Sequence, residues 1–135
     1  MIKVKNSELN ETATISFNEL LEIDLPVSLS WKIAKLAKEI DELIILKKES
    51  TNKLVKKHAL KDEDGEMVVA KNEEGEDIPG STRIADPDKY NKEYEKFDSL
   101  ENEINFDPIS ISLIESKNDN IKPKILFNLS FLFTD

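Results

Sequence analysis

Acidic side chains are concentrated in one stretch of this chain. Carboxylate oxygens are the main side-chain ligands of calcium-binding loops. The stretch from Asp62 to Asp77 carries eight carboxylates and only one lysine. The carboxylates are those of Asp62, Glu63, Asp64, Glu66, Glu73, Glu74, Glu76 and Asp77. Calcium chemistry is therefore the first possibility to test.

The spacing of these acids does not fit a calcium loop. An EF-hand loop needs acids at positions 1, 3 and 5, glycine at position 6 and a bidentate glutamate at position 12. With Gly65 at position 6, Leu60 and Lys71 fall at the first and last positions, and an alignment on Gly75 fails in the same way. The sequence therefore predicts no metal site and no cofactor.

The residue patterns needed for nucleophilic catalysis and for phosphate binding are also missing from the sequence. The one histidine, His58, follows Lys56 and Lys57 at the predicted end of a helix, where a cation is favoured by the helix dipole. No serine lies in a nucleophile elbow, cysteine is absent, and the three glycines lie among acids that would repel a nucleotide. We expect a protein that is not an enzyme.

The charge balance excludes further partners. The formal net charge is -9, and Arg83 is the only arginine, whereas nucleic-acid binding depends on cations that neutralise phosphates. We find neither a signal-peptide pattern nor an apolar run of the ~20 residues that a membrane span needs. The charge and the lack of an apolar span predict no direct nucleic-acid or membrane partner. The length predicts one domain, residues 1–135.

A long amphipathic helix organises the predicted fold, from Leu25 to about Lys57. Its apolar residues follow a 4-3-4-3 spacing, which places one stripe along a helix face. They are Leu29, Ile33, Leu36, Ile40 and Leu43, and the stripe resumes at Leu54. Such a stripe needs a covering element.

A second helix is predicted to supply that cover. Asp86 and Pro87 have the residue types of an N-cap and a first turn. The helix then carries an apolar stripe through to Ile104, formed by Tyr90, Tyr94, Phe97, Leu100 and Ile104. We expect the two helices to form a long antiparallel hairpin. Earlier in the chain, Ser16 and Glu19 have the form of a capping box at a helix start.

The remaining segments predict a small sheet and a closing element. Met1–Val4 and Ile109–Leu113 alternate apolar and polar residues and are expected to pair as strands. Lys124–Phe133 is expected to form a buried apolar helix, and a strand remains possible because its period is ambiguous. The predicted fold class is α+β.

Residues of about 59–84 form an acidic insertion between the two main helices. Asp64-Gly65 and Glu74-Gly75 are typical of turns, which makes the insertion a small β-meander or a partly mobile loop. We see no internal repeat in it or elsewhere. The insertion is the first candidate for contact with a protein partner.

Two apolar features leave alternatives open. Trp31 either packs against the first helix or contacts a partner, since tryptophan is enriched at interface hot spots. The run Leu43, Ile44, Ile45 and Leu46 covers more than one helix face, so it is either buried on two sides or presented to another chain, including a second copy.

Several short motifs resemble those of a family of small uncharacterised proteins from tailed bacteriophages and prophages. The resemblance rests on Leu25-Pro26-Val27, on the helix from Trp31 to Ile40 (WKIAKLAKEI), on the acidic turn Asp62–Gly65 (DEDG) and on the strand Ile109–Leu113. The order of elements matches over nearly the whole chain. The segment EMVVAKNEEGEDIPGSTR departs from the family pattern as an insertion between the helices. The resemblance implies a phage origin and carries no activity or catalytic residue to transfer.

Together these features predict a non-enzymatic phage accessory protein that acts by protein–protein binding in the host cytoplasm. The leading hypothesis is an acidic inhibitor, whose acids between Asp62 and Asp77 occupy a basic surface on a host or defence protein, with Trp31 as a further contact. The alternative is a structural component of the virion or tail assembly, joined through Leu43–Leu46 or the Phe131–Phe133 end.

Overall fold

The structure, a computed structural model, describes residues 1–115 and 121–134. In chain order its helices and strands are β1 (Ile2–Lys5), α1 (Glu11–Leu21), α2 (Val27–His58), α3 (Pro87–Asp98), β2 (Glu101–Ile104), β3 (Ile109–Ser110), α4 (Ile111–Glu115), α5 (Pro123–Asn128) and β4 (Phe133–Thr134), with short 3₁₀ turns at Asn6–Glu8 and Ser130–Leu132. The chain is thus a mixed helix-and-sheet protein with one long helix, as the predicted α+β class requires.

The chain divides into two compact units. The first unit comprises Met1–Leu46 and Ser99–Asp135, and the second comprises Lys47–Asp98. Helix α2 contributes its first part to one unit and its last three turns to the other. None of the helices formed by residues 1–115 and 121–134 combines the length and the apolar character needed to cross a membrane.

Strand β1 in the first unit pairs with β2, and the predicted pairing with Ile109–Leu113 is wrong. The pairing is antiparallel, with Ile2 opposite Ile104. Asn102 fixes this register, since its Nδ2 donates to the carbonyl oxygen of Val4 (3.0 Å) and to Oδ1 of Asn6 (2.9 Å). Burial alternates along β2, and this two-residue period is why the chain from Glu101 onward is a strand rather than more helix.

The second predicted helix therefore ends earlier than its apolar stripe suggested. Helix α3 ends at Asp98, and Leu100 is exposed. The carbonyl of Leu100 accepts a 3.0 Å bond from the backbone N–H of Asn6, which aligns the chain for β2. Ile104 is buried beside β1 and not along a helix seam.

The C-terminal part of the first unit mixes short elements. The predicted strand Ile109–Leu113 is a strand only in β3, which pairs in parallel with β4, and the chain continues as the short helix α4. The predicted closing helix is confirmed only for α5, because the chain then continues as a 3₁₀ turn and the strand β4. Ile125, Leu129 and Leu132 are buried along this segment.

Helix α1 begins at Glu11, and the predicted capping box at Ser16 is wrong. Asn10 is the N-cap, and its Oδ1 accepts a 3.0 Å bond from the backbone N–H of Ala13. Ser16 is buried inside the helix, where its Oγ accepts a 3.1 Å bond from Nδ2 of Asn128. The Ser16–Glu19 spacing here serves contacts with α5 instead of a helix start.

Helix α1 is joined by packing and by charge to the segment that contains α5 and the 3₁₀ turn after it. The ring of Phe17 lies 6.3 Å from that of Phe131. Oε1 of Glu19 lies 2.9 Å from Nζ of Lys124, and its Oε2 lies 3.9 Å from Nζ of Lys122. The hydrogen bond from Lys124 is the main reason why the pKa of Glu19 is lowered, with smaller contributions from the charges of both lysines.

The core of the first unit is aliphatic and is built around α2. Ile33, Leu36 and Ile40, from the predicted stripe, are buried. They share one cluster with β1, α1, β2 and the C-terminal segment, through Ile2, Val4, Leu9, Ala13, Phe17, Leu20, Ile104, Ile109, Ile114, Ile125, Leu129 and Leu132. This cluster covers the amphipathic face of α2.

In the second unit the last turns of α2 run antiparallel to α3. Nζ of Lys47 lies 3.8 Å from Oδ1 of Asp98, and Nζ of Lys57 lies 2.9 Å from Oε1 of Glu93. Asp86 caps α3 by accepting a 3.3 Å bond from the backbone N–H of Lys89, as predicted. These two ion pairs thus join α3 to the end of α2.

We expect Phe17→Ala to lower stability strongly and Phe127→Ala to have little effect, although both variants remove the same side chain. Phe17 is 2% exposed, so its truncation should lower the free energy of unfolding by about 3–5 kcal/mol. Phe127 is 82% exposed, and its truncation should change stability by less than about 0.5 kcal/mol. Urea denaturation followed by circular dichroism measures both. Equal losses in the two variants would contradict the described core.

Candidate functional site

The acidic insertion is a tandem repeat that sequence inspection missed. Residues 60–69 read LKDEDGEMVV, and residues 70–79 read AKNEEGEDIP. The shared pattern is Lys, then Asp or Asn, Glu, an acid, Gly and Glu, at a spacing of ten residues. The signal was present in the sequence, but the Asp-to-Asn change and the unrelated residues at the repeat ends concealed it. We call residues 60–79 the tandem acidic turns.

Each repeat opens with the same side-chain bond to the backbone. Oδ1 of Asp62 accepts from the backbone N–H groups of Asp64 (3.0 Å) and Glu66 (2.9 Å). Oδ1 of Asn72 accepts in the same way from Glu74 (3.0 Å) and Glu76 (3.0 Å). Aspartate and asparagine are interchangeable here because the turn uses only one side-chain oxygen as acceptor.

Each turn closes through a glycine in the left-handed region. Gly65 has φ 80° and donates its N–H to the carbonyl of Asp62 at 3.0 Å, while Gly75 has φ 82° and donates to the carbonyl of Asn72 at 3.1 Å. Other residue types pay a steric penalty at such φ values. The predicted turns at Gly65 and Gly75 are confirmed.

Backbone pairing closes each repeat and joins the first repeat to the segment around Arg83. The N–H of Val68 donates to the carbonyl of Leu60, and the N–H of Ile78 to that of Ala70, each at 2.8 Å. The segment around Arg83 pairs with the first repeat, since the N–H of Leu60 donates to the carbonyl of Arg83 and the N–H of Arg83 to that of Val68. The insertion is therefore a small β-meander, which is one of the two alternatives that the sequence leaves open.

The acids of the tandem acidic turns are exposed and are not neutralised by neighbouring cations. Every residue from Asp62 to Glu66 and from Lys71 to Asp77 is exposed. Within residues 1–115 and 121–134, no ion pair joins an acid of this segment to a lysine, arginine or histidine. The segment therefore presents negative charge on a backbone that its own hydrogen bonds hold in place.

No grouping of these acids fits a metal ion. In the part of the chain that the structure describes, no three histidine, aspartate or glutamate side chains come together as a cation site. Oδ1 of Asp62 accepts two backbone N–H groups. The turns are built from hydrogen bonds.

His58 lies at the end of α2, as predicted, and contributes to the contact with α3. Its Nε2 is 3.3 Å from Oε1 of Glu93, and its ring meets the edge of Tyr90 at 5.9 Å. Hydrogen bonds from Lys57 and then from His58 lower the pKa of Glu93. This arrangement joins two helices and has the geometry of a structural contact.

Trp31 belongs to the first unit and is 65% exposed, so it is not a packing residue of that core. In the apolar run, Leu43 and Ile44 are partly buried against the core. Ile45 and Leu46 are each 56% exposed. The run is therefore partly covered at Leu43 and Ile44 and exposed at Ile45 and Leu46, and contact of the exposed pair with another chain stays a prediction. A groove beside α2, lined by Leu29, Lys32, Leu36, Phe106 and Pro108, was not foreseen from the sequence.

These features define a mixed α+β protein that carries an exposed acidic tandem turn. Comparison of the chain with protein-family models, curated proteins and solved structures found no match.

The two turns should respond independently to loss of their glycines. Gly65→Ala forces a side chain into a left-handed conformation, at a cost of roughly 1–2 kcal/mol, and should open the first repeat. In amide hydrogen exchange by NMR, the N–H of Val68 should exchange about ten times faster, while that of Ile78 keeps its rate.

The matched variant Gly75→Ala should give the reverse pattern, with Ile78 accelerated and Val68 unchanged. If either variant increases the exchange rates of both amides, the two repeats open together. Their opening would then not be controlled by the hydrogen bonds within each repeat.

Proposed function

We propose that this chain is a non-enzymatic protein-binding protein whose tandem acidic turns occupy a basic surface on another protein. One observation carries the proposal: the exposed acids between Asp62 and Asp77 have no ion-pair partner within residues 1–115 and 121–134. Clustered charges of one sign are repulsive within the chain and become favourable against a surface of opposite sign. A basic partner provides that surface.

The construction of the turns supports a binding role over simple solubility. Solubility needs charge but no defined backbone. In this chain each turn is closed by side-chain and backbone hydrogen bonds on the same pattern, repeated once. A backbone ordered before binding lowers the entropy lost on association. Electrostatic complementarity then raises the association rate and selects against acidic partners.

The proposed setting is a bacteriophage infection. The motifs around Leu25–Val27 and Trp31–Ile40, which resemble those of phage and prophage proteins, support it. In that setting the acidic turns would cover a basic groove of a host or defence protein in the host cytoplasm, in the place of nucleic acid or substrate. This makes the chain an anti-defence or host-inhibiting accessory protein.

A structural role in the virion or tail is the second candidate, and exposed apolar residues favour it. Val27, Trp31, Ile45 and Leu46 are all more than half exposed on α2. Apolar exposure of this kind is typical of subunit interfaces. Quantitative mass spectrometry of purified particles separates the two candidates, because an assembly component is present at fixed stoichiometry and an inhibitor is absent.

Charge reversal in the tandem acidic turns should slow association with the partner. The informative variant is Glu63→Lys/Glu66→Lys/Glu73→Lys/Glu76→Lys, which leaves Asp62, Asn72 and both glycines in place. The tagged wild-type chain is used to capture proteins from bacterial host lysate, and the recovered basic protein is then purified and titrated. We expect the association rate at low salt to fall by about tenfold or more in the variant.

The matched control reverses four exposed acids elsewhere, Glu22, Glu49, Glu101 and Glu103, and so changes the net charge equally. Its association rate should stay within about threefold of the wild type at the same salt concentration, since these acids lie outside the turns. If both variants lose the partner equally, net charge alone drives the interaction. If neither does, the proposal fails.

A further inference from the structure

Helix α2 has a second face, opposite the one that the core covers. Leu36 and Ile40 are buried, and Lys38 lies two residues, or about 200° of rotation, from each of them. The residues that share the side of Lys38 follow the same 4-3-4-3 spacing as a packing seam. They are Trp31, Lys35, Lys38, Glu42 and Ile45, all exposed, and we call them the outer face of α2.

The two ends of the outer face are apolar. Near the N-terminus of the helix, Val27 is 86% and Trp31 is 65% exposed. Four turns further along, Ile45 and Leu46 are each 56% exposed. An isolated exposed apolar residue needs no explanation. Here two apolar pairs lie on one helix side, separated by charged residues.

The charges between those ends are ordered by sign. Lys35 and Lys38 come first along the helix, and Glu39, Asp41 and Glu42 follow. Each of these five side chains belongs to an exposed residue, and no ion pair within the described chain involves them. Read from the N-terminus, the face is apolar, basic, acidic and apolar.

This order of residues is complementary to that of a second copy of α2 that runs in the opposite direction. An antiparallel copy centred near Lys38 sets Trp31 against Ile45 and Leu46, and sets Lys35 against Asp41 and Glu42. A parallel copy would set lysine against lysine and acid against acid. In a twofold arrangement each contact occurs twice, as an isologous interface requires.

We propose that a second copy of this chain binds to the outer face of α2, with the two α2 helices antiparallel around a twofold axis near Lys38. Every residue of this interface lies between Val27 and Leu46, within the first unit. The dimer is independent of the partner proposed for the tandem acidic turns. A dimer would carry two copies of those turns and would bind a repeated basic target with a higher effective concentration.

The size of the face predicts a reversible dimer. From Val27 to Leu46 the helix is roughly 30 Å long. A helix seam of that length buries on the order of 800 Å² in total, which is below the ~1,200–2,000 Å² of stable specific interfaces and within the range of weak, transient ones. We therefore expect dissociation in the micromolar range, with Trp31 as the anchoring residue.

Trp31 reports directly on the dimer, because it is the only tryptophan. On dilution of the full chain from about 1 mM to about 1 µM, sedimentation equilibrium should show a change from dimer to monomer mass. The tryptophan emission maximum should move to longer wavelength over the same range. A monomer mass throughout that range overturns the proposal.

Trp31→Ala should weaken the dimer by about 30-fold or more, because each dimer loses two buried anchors. The control is Phe127→Ala, which removes a still more exposed aromatic residue from α5, outside the outer face. It should leave the dimer constant unchanged. Circular dichroism confirms that both variants fold. An equal effect in both variants, or none in Trp31→Ala, overturns the proposal.

The charge pattern is tested by reversal and rescue. Lys35→Glu places acid against Asp41 and Glu42 of the second copy and should weaken the dimer about tenfold. Addition of Glu42→Lys restores an opposite pair across the axis and should recover most of that loss. Failure of the second change to rescue the first contradicts the antiparallel register.

The position of the axis is tested by cross-linking, for which the cysteine-free chain is well suited. Lys38→Cys lies near the axis and should form a disulfide-linked dimer under mild oxidation. Glu42→Cys alone should not, because its two copies lie on opposite sides of the axis. A mixture of Glu42→Cys with Lys35→Cys should cross-link. Efficient cross-linking of Glu42→Cys alone, or none at Lys38→Cys, overturns the register.

Discussion

Burial of one stripe of α2 is the interaction on which the first unit depends. Ile33, Leu36 and Ile40 are almost completely removed from water, and elements from both ends of the chain meet around them. Apolar burial contributes roughly 25 cal/mol per Å², so a stripe of this kind supplies a large share of folding free energy. The flanking elements are short, and residues from several of them share one cluster with that stripe. A four-residue strand or a six-residue helix such as α5 has little stability alone.

A second constraint, the satisfaction of backbone polar groups, shapes the acidic insertion. Most side chains there are exposed, so apolar burial contributes little. Order comes instead from local bonds: one side-chain oxygen in each repeat accepts two backbone N–H groups, and one glycine in each repeat closes the turn. The two units thus rely on different physical terms. The acidic side chains are left available for an external surface because the turn itself consumes only the carboxylate of Asp62.

Sequence reasoning succeeded where a signal was long or chemically specific. The periodicity of α2 extends over several turns and predicted its limits to within two residues, together with the buried residues Ile33, Leu36 and Ile40. The other stripe residues, Leu29, Leu43 and Leu54, are only partly buried. Glycine after an acid predicted the turns at Gly65 and Gly75, because few residue types tolerate a positive φ. It failed where segments were short. The sequence predicts helix at Glu101–Ile104 because the stripe from Tyr90 has apolar residues at Leu100 and Ile104, and in four residues the two periods are hard to distinguish. The capping pattern at Ser16 failed because a buried hydrogen bond to Asn128 uses the same residue type.

By itself, then, the sequence determined the long helix, the acidic turns, the charge balance and the α+β class, since each follows from local periodicity or from the chemistry of single residues. Tertiary structure alone decided which strands pair, where α3 ends and which residues of Leu43–Leu46 are covered. It also decided that Trp31 is exposed. Those outcomes depend on contacts between residues far apart in the chain, and a residue type carries no record of which distant surface will reach it.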